Sequence, residues 1–148
     1  MLTRKFSRLP LHMKLMHLEA FFFQLSIGLL LKIIPFRRIP GMFPNLSHVK
    51  PGTRNLKPET PYSLPRTPHL QEIKQANSSI SRFSPWENKC LIKSLAARKM
   101  LNRRGMPSQL SLGVLKDTDS KTIAHAWIKS GDFEIVEKDR DYTELYNF

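Results

Sequence analysis

The sequence predicts an α+β fold, and three observations carry that prediction. A capped, amphipathic helix is written over residues 85–102. Alternating apolar segments follow it, separated by turn residues, in the manner of an antiparallel meander. A long apolar helix precedes both, over residues 12–34. Helix and meander segregated along the chain define an α+β unit rather than a parallel α/β sheet.

The amino-terminal helix rests on Leu15, Leu18, Phe22, Leu25, Leu29 and Ile33, which recur at three- and four-residue steps. Pro35 stops it, because proline lacks the amide donor and clashes with the preceding turn. Arg4, Lys5, Arg8 and Lys14 ahead of an apolar run outline a signal peptide, but no small-x-small cleavage site follows. A bilayer span needs about 20 apolar residues, and Glu19, Gln24, Ser26 and Lys32 interrupt this one. The reading is an amphipathic or core helix, with a membrane contact or span as the alternative. Its apolar surface must be covered by the domain, a partner or lipid.

Residues 36–83 read as irregular. Seven of the 11 prolines fall between Pro40 and Pro68, as expected of a linker or an extended wrap. Only His69 to Gln75 suggests a short helix. The expected organisation is a basic, apolar helical segment at 1–39, a proline-rich linker or wrap at 40–83, and a catalytic core at 84–148.

Ser84-Pro85-Trp86-Glu87 has the form of a capping box, which starts the next helix at about Pro85. Leu91, Ile92, Leu95, Ala96 and Met100 form its buried stripe, and Gly105 ends it. Leu110, Leu112 and Val114 alternate as a half-buried strand. Asp117 to Ser120 is a turn. Ala124–Lys129 is a second strand, Ser130-Gly131-Asp132 a tight turn, and Phe133–Val136 a third strand.

The chain of 148 residues carries 24 Lys+Arg against 12 Asp+Glu, a net charge of +12. The excess belongs to residues 1–80, with 12 basic and 3 acidic residues; residues 81–148 hold 12 and 9. Such a half suits an anionic partner. Nucleic acid is not favoured, because no basic stripe with interleaved aromatics and no zinc-finger spacing occurs. No P-loop, dinucleotide fingerprint or metal-ligand spacing occurs either, so no cofactor and no metal are expected. His12, His17, His48 and His69 read as surface or packing residues.

Cys90 is the only cysteine, which excludes an internal disulfide. It falls in the second turn of its expected helix, and His125 falls on the later strand. A thiol and an imidazole so placed are the nucleophile and base of a cysteine hydrolase, able to form a thiolate–imidazolium pair. The bland alternative is a small buried hydrophobe. His125, Trp127 and Lys129 share one strand face, and Ala124, Ala126 and Ile128 the other. The small alanines flanking His125 admit a close neighbour, for which the Cys90 helix is the candidate.

A third group should orient the imidazole from across the hairpin. Glu137 is the first choice and Asp139 the second, with Glu134 and Asp132 weaker. A two-residue turn would set Lys138 opposite His125, and a three-residue turn Glu137. The Cys90 amide is the candidate oxyanion donor. Trp86 reads as core packing, and Trp127 as core or a cleft wall.

These motifs resemble the leader peptidase of lasso-peptide biosynthesis, the stand-alone transglutaminase-like half of the lasso B protein. The resemblance runs through Trp86, Cys90-Leu91, Ser94 to Leu101, Arg103-Arg104-Gly105, Leu112-Gly113-Val114 and Ala124-His125-Ala126-Trp127. At the amino terminus it includes Leu18-Glu19-Ala20, Leu29-Leu30-Leu31 and Pro35-Phe36-Arg37-Arg38. It implies a papain/transglutaminase-like core, with a nucleophile helix packed on a small antiparallel sheet. It implies a cysteine peptidase with Cys90 as nucleophile, His125 as base and an acid near Glu137, where many relatives have Asp; a Cys-His dyad is the reduced form.

The implied task is removal of a leader from a ribosomally made precursor before a separate ATP-dependent cyclase closes the ring. The implied partners are that precursor, a separate leader-recognition protein docking on the amino-terminal helix, and the cyclase. The expected location is cytoplasmic, with peripheral membrane contact through that helix as the variant. The competing readings are acyl transfer to an amine on the same fold, and a non-enzymatic basic membrane-associated protein.

Overall fold

The computed structural model describes residues 10–33, 67–86, 89–116 and 121–147. Three helices, α1 (Leu11–Ile33), α2 (Thr67–Ser81) and α3 (Lys89–Arg103), precede four strands: β1 (Gln109–Lys116), β2 (Thr122–Ser130), β3 (Phe133–Val136) and β4 (Thr143–Asn147). The strands form one antiparallel sheet in the order β3-β2-β1-β4. The α+β expectation therefore holds. The expected wrap at 40–66, the turn at 117–120, Glu87, Arg37-Arg38 and His48 lie outside the described residues.

Helix α3 is the centre of the molecule. Leu91, Ile92, Leu95, Ala96 and Met100 are buried as expected, and Ser94, Ala97, Arg98 and Leu101 join them. A helix buried on nearly all sides needs small residues where neighbours press closest, and Ala96 and Ala97 have no exposed surface. One side meets α1 and α2; the other meets the sheet at Leu110, Ala126, Ile128, Ile135 and Val136. The helix starts at Lys89 rather than near Pro85, since residues 84–86 are not helical. Gly105 ends it with φ at 62°, and Met106 N–H donates to Leu101 O at 3.0 Å.

Two corrections concern the other helices. Residues 67–81 form a full helix where an irregular segment with a short helix at 69–75 was expected. Leu70, Ile73, Ala76 and Asn77 supply its buried stripe at helical spacing. In α1 the leucine-rich stripe that identifies the helix is its exposed face: Leu15, Leu18, Phe22, Leu25, Leu29 and Ile33 are 37–80 % exposed. The buried face is Met13, Met16, His17, Ala20, Gln24, Ile27 and Gly28. Met13, Met16 and Ile27 pack there beside small and polar residues. Gln24 Nε2 donates to Asn77 O at 2.8 Å and to Asn77 Oδ1 at 2.6 Å. Asn77 Nδ2 in turn donates to Lys93 O at 2.8 Å, so one buried chain of bonds joins all three helices. Arg104 adds a fork on Glu19, at 2.7 and 3.1 Å. By length and composition α1 could also cross a membrane, although a third of its most apolar window is buried here.

Strands β1 and β2 pair from Gln109↔Lys129 to Lys116↔Thr122, with Gly113 opposite His125. The β2–β3 turn is the two-residue Gly131-Asp132, with Gly131 at φ 59°. β4 returns along the free side of β1, so the sheet is larger than a three-strand meander. The segment between β3 and β4 must therefore cross the sheet, and it does so over His125.

A methyl group on Gly28 would land inside the Trp86 indole. Gly28→Ala ordinarily strengthens a helix by up to about 1 kcal/mol. Here it should destabilise the fold by about 1–3 kcal/mol, read as a lower urea midpoint. Trp86→Leu in the same chain should recover most of that loss.

Candidate active site

Cys90 is half-buried in the first turn of α3, one turn earlier in its helix than expected. First-turn amides have no intrahelical acceptor, and the positive end of the helix dipole lies among them. The thiol and the Cys90 N–H thus share the helix end where an anion is best tolerated. One turn on, Ser94 Oγ donates to Ala126 O at 3.2 Å. That bond seats the same helix face against the strand carrying His125.

His125 lies on β2 with its side chain 16 % exposed. Strand alternation puts His125 and Trp127 on one face of β2, while Ala126 and Ile128 on the other enter the common core. Its Nε2 lies 3.1 Å from Glu137 O. A carbonyl only accepts, so Nε2 carries the hydrogen there and Nδ1 keeps the lone pair. Nδ1 is consequently the nitrogen left to take a proton from a thiol. Among the described residues no hydrogen bond joins Cys90 Sγ directly to the imidazole.

The carboxylates are sorted by a bulge. Ser130↔Phe133 and Lys129↔Glu134 follow from the two-residue turn, but the next pair is Ile128↔Val136. The extra residue, Ile135, shifts all that follows by one. Extending that register brings Asp139 beside His125, in place of the Lys138 or Glu137 expected from an unbulged hairpin. Asp139 Oδ1 is 3.7 Å from His125 Nε2, and its side chain is 62 % exposed. The Glu137 carboxylate turns instead to Lys74 of α2, so Glu137 reaches the imidazole through its backbone carbonyl. The hydrogen bond from Lys74, then its charge, holds the Glu137 carboxyl below its ordinary value. Glu134 stands opposite Lys129, and Asp132 sits in the turn beyond Ser130, which is itself five residues or about 17 Å along the strand from His125.

Tyr142 went unnoticed in the sequence, and it contacts His125, Trp127 and Asp139. It is 7 % exposed. Its ring stacks on His125 at 4.8 Å and 14° and approaches Trp127 at 6.2 Å. Burial first, then a hydrogen bond to Asp139 and that residue's charge, push its phenol up, with Cys90 close enough to add to the shift. The signal for it was weak: an aromatic three residues beyond Asp139, in a segment with no periodicity. Gly113 makes room below, since a Cβ there would meet Thr143 O at 2.8 Å and Trp127 Cη2 at 2.9 Å.

The remaining histidines lie elsewhere. His12 and His69 both contact Glu72, each at 3.2 Å, and the His17 Nδ1–H donates to Met13 O at 2.6 Å. Among the described residues no group of three His, Cys, Asp or Glu could hold a metal ion.

A helix-borne thiol beside a small antiparallel sheet, with an imidazole on the second strand, is an arrangement that thiol-dependent hydrolases and acyltransferases use. The comparison with known families is specific at that level. The chain matches the Transglutaminase-like superfamily over residues 30–147 and belongs to it. Members of that superfamily are generally cysteine peptidases or acyltransferases. No curated protein and no solved structure matches the chain.

The Lys74 pair has a pH signature. Because the Glu137 pKa is depressed, its contribution to stability is present above the ordinary value of 4.5 and is lost as pH falls through the depressed one. Lys74→Met should return the Glu137 titration toward 4.5, as followed by carboxyl NMR.

Proposed function

We propose that this protein is a cysteine peptidase that removes the leader from a lasso-peptide precursor, with Cys90 as nucleophile and His125 as base. The observation that carries the chemistry is the first-turn position of Cys90 on a helix bonded through Ser94 to the His125 strand. The substrate assignment is supported by the motifs at both ends of the chain that resemble lasso leader peptidases.

In this reading His125 Nδ1 takes the thiol proton as Sγ attacks the scissile carbonyl. The C–N bond then breaks as the imidazolium returns that proton to the leaving amine. The Cys90 N–H supports the oxyanion. Water, deprotonated by the same imidazole, clears the acyl-enzyme and frees the thiol. Asp139 is the acid we assign beside His125, in preference to Glu137, whose carboxylate is engaged by Lys74. The partners in this reading are the precursor, a leader-recognition protein on the exposed apolar face of α1, and the cyclase acting afterwards in the cytoplasm.

The superfamily also supports a second reading, acyl transfer, in which an amine replaces water. Product mass separates the two. Incubating a candidate precursor with the protein and the recognition partner should give one cut with water added to the products. Cys90→Ala should abolish it while the circular dichroism spectrum is unchanged. An intact precursor with folded wild-type protein and partner present would sink the peptidase reading, and an amine adduct would select transfer.

The acid assignment has its own test. Asp139→Asn should lower kcat/KM by about fivefold to tenfold, as expected when the charge facing a protonated base is lost while other contacts still hold the ring. Glu137→Gln should cost less than about threefold. Tyr142→Phe keeps the ring stacked on His125 and should fall between them. The reverse order for the two acids would reassign the role.

A further inference from the structure

Arg98 stands out among the cations of the described residues. It sits in the middle of α3, is 8 % exposed, and leaves its buried Nη1 without a hydrogen-bond partner. No carboxylate among the described residues pairs with it. The acid on that side of the helix, Glu19, is taken by Arg103 at 3.2 Å and by the Arg104 fork. A buried charge without a counter-charge is among the most expensive features a fold can carry. Burial alone already pulls the guanidinium below its ordinary value.

Arg98 also borders a cavity of about 360 Å³ with mostly apolar walls, lined by Phe23 of α1 and by Arg98, Lys99, Asn102 and Arg103 of α3. That volume lies within the range of small-ligand pockets. The lining is one helix patch, since 98 and 102, and 99 and 103, are each four residues apart. Lys99 Nζ lies 5.7 Å, and Arg103 Cζ 6.0 Å, from the centre of the Phe23 ring, so both cations are gathered at the rim. Three positive groups thus converge on an apolar floor, with one shared carboxylate at their edge.

We propose that this cavity is an anion-binding site for a carboxylate, received by Arg98 with Lys99 and Arg103 at its rim and Asn102 as a neutral donor. A guanidinium offers two parallel N–H groups, which suits the two oxygens of a carboxylate. The bound group is a free carboxylic acid or the acidic side chain of a polypeptide. The site is separate from Cys90, eight residues or about 12 Å away along α3. It stands whether or not the thiol chemistry is as assigned.

The test is thermal unfolding of the full chain with sodium succinate, at ionic strength held constant with sodium chloride. Saturating succinate should raise the wild-type midpoint by about 4 °C or more. Arg98→Met should abolish that rise while holding or raising the midpoint without succinate, because the unpaired charge is gone. Lys99→Gln, at an exposed position, should weaken the response by about threefold to tenfold in succinate concentration, which keeps the test decisive if Arg98→Met folds poorly. A capped Gly-Glu-Gly peptide, with Gly-Gln-Gly as control, separates the sources: stabilisation at lower concentration than succinate identifies an acidic side chain, and the opposite order a free acid. No succinate-dependent rise in the wild type, or a rise of equal size in both variants, would overturn the proposal and leave only a bulk anion effect on a basic protein.

Discussion

The structure depends on the near-complete burial of α3. This helix touches α1 and α2 on one side and the sheet on the other, so large apolar residues such as Leu95, Met100 and Leu101 and small ones such as Ala96 and Ala97 are buried together along it. Ala96 and Ala97 are fully buried because the neighbouring backbones come too close for anything larger. Ser94, also fully buried, spends its hydroxyl on Ala126 O. That bond contributes only about 1 kcal/mol net. Its larger effect is geometric: it sets the helix at one height along β2, and the height decides where the first turn, with Cys90, falls relative to His125. The Gln24–Asn77–Lys93 chain fixes the same helix from the opposite side. With both sides held, a shift of α3 by one residue would break buried hydrogen bonds on two fronts.

The imidazole is held by a different device. An exposed ion pair at 3.7 Å contributes between zero and about 1 kcal/mol, so Asp139 alone cannot fix the ring. The Glu137 carbonyl at 3.1 Å and the Tyr142 ring at 4.8 Å are the stronger constraints. Both come from the segment crossing between β3 and β4. The bulge at Ile135 aims that segment: without the extra residue, Lys138 would stand where Asp139 stands, and a cation would face the base. The Glu137 carboxylate contributes indirectly, since its bond to Lys74 ties the crossing segment to α2 and so keeps its carbonyl on His125.

What the sequence revealed follows the strength of local signals. Helix α3, strands β1 to β3, the Gly105 terminus and the Gly131 turn all carry periodicity or a residue with a special backbone conformation, and all were legible. Helix α2 was shortened because Pro68, Asn77, Ser78, Ser79 and Ser81 mask its stripe, and Asn77 is buried for its hydrogen bonds rather than its hydrophobicity. Strand β4 was missed because Thr143 to Tyr146 are all exposed, so an edge strand with no buried face shows no alternation. The bulge had no signature, since Glu134-Ile135-Val136 reads equally well in either register. The acid and Tyr142 were hidden with it. In α1 the pattern was clear and its meaning reversed: the leucine stripe marks the exposed face, and the packed face mixes Met13, Met16 and Ile27 with small and polar residues that hydropathy does not weigh.

The two ends of α3 divide the electrostatics between them. At the amino-terminal end, open amides and the dipole favour negative charge, which is where a thiolate or an oxyanion would lie. At the other end, Arg103 and Arg104 face the negative pole and also share Glu19, so their charges are doubly compensated. Arg98 has neither advantage. It is too far from the terminus to gain from the dipole, which fades within one turn, and too buried to be screened by water. A methionine of similar length would fill the same space without that penalty. Packing therefore does not account for an arginine at this position, and the cavity it borders is where we place the counter-charge.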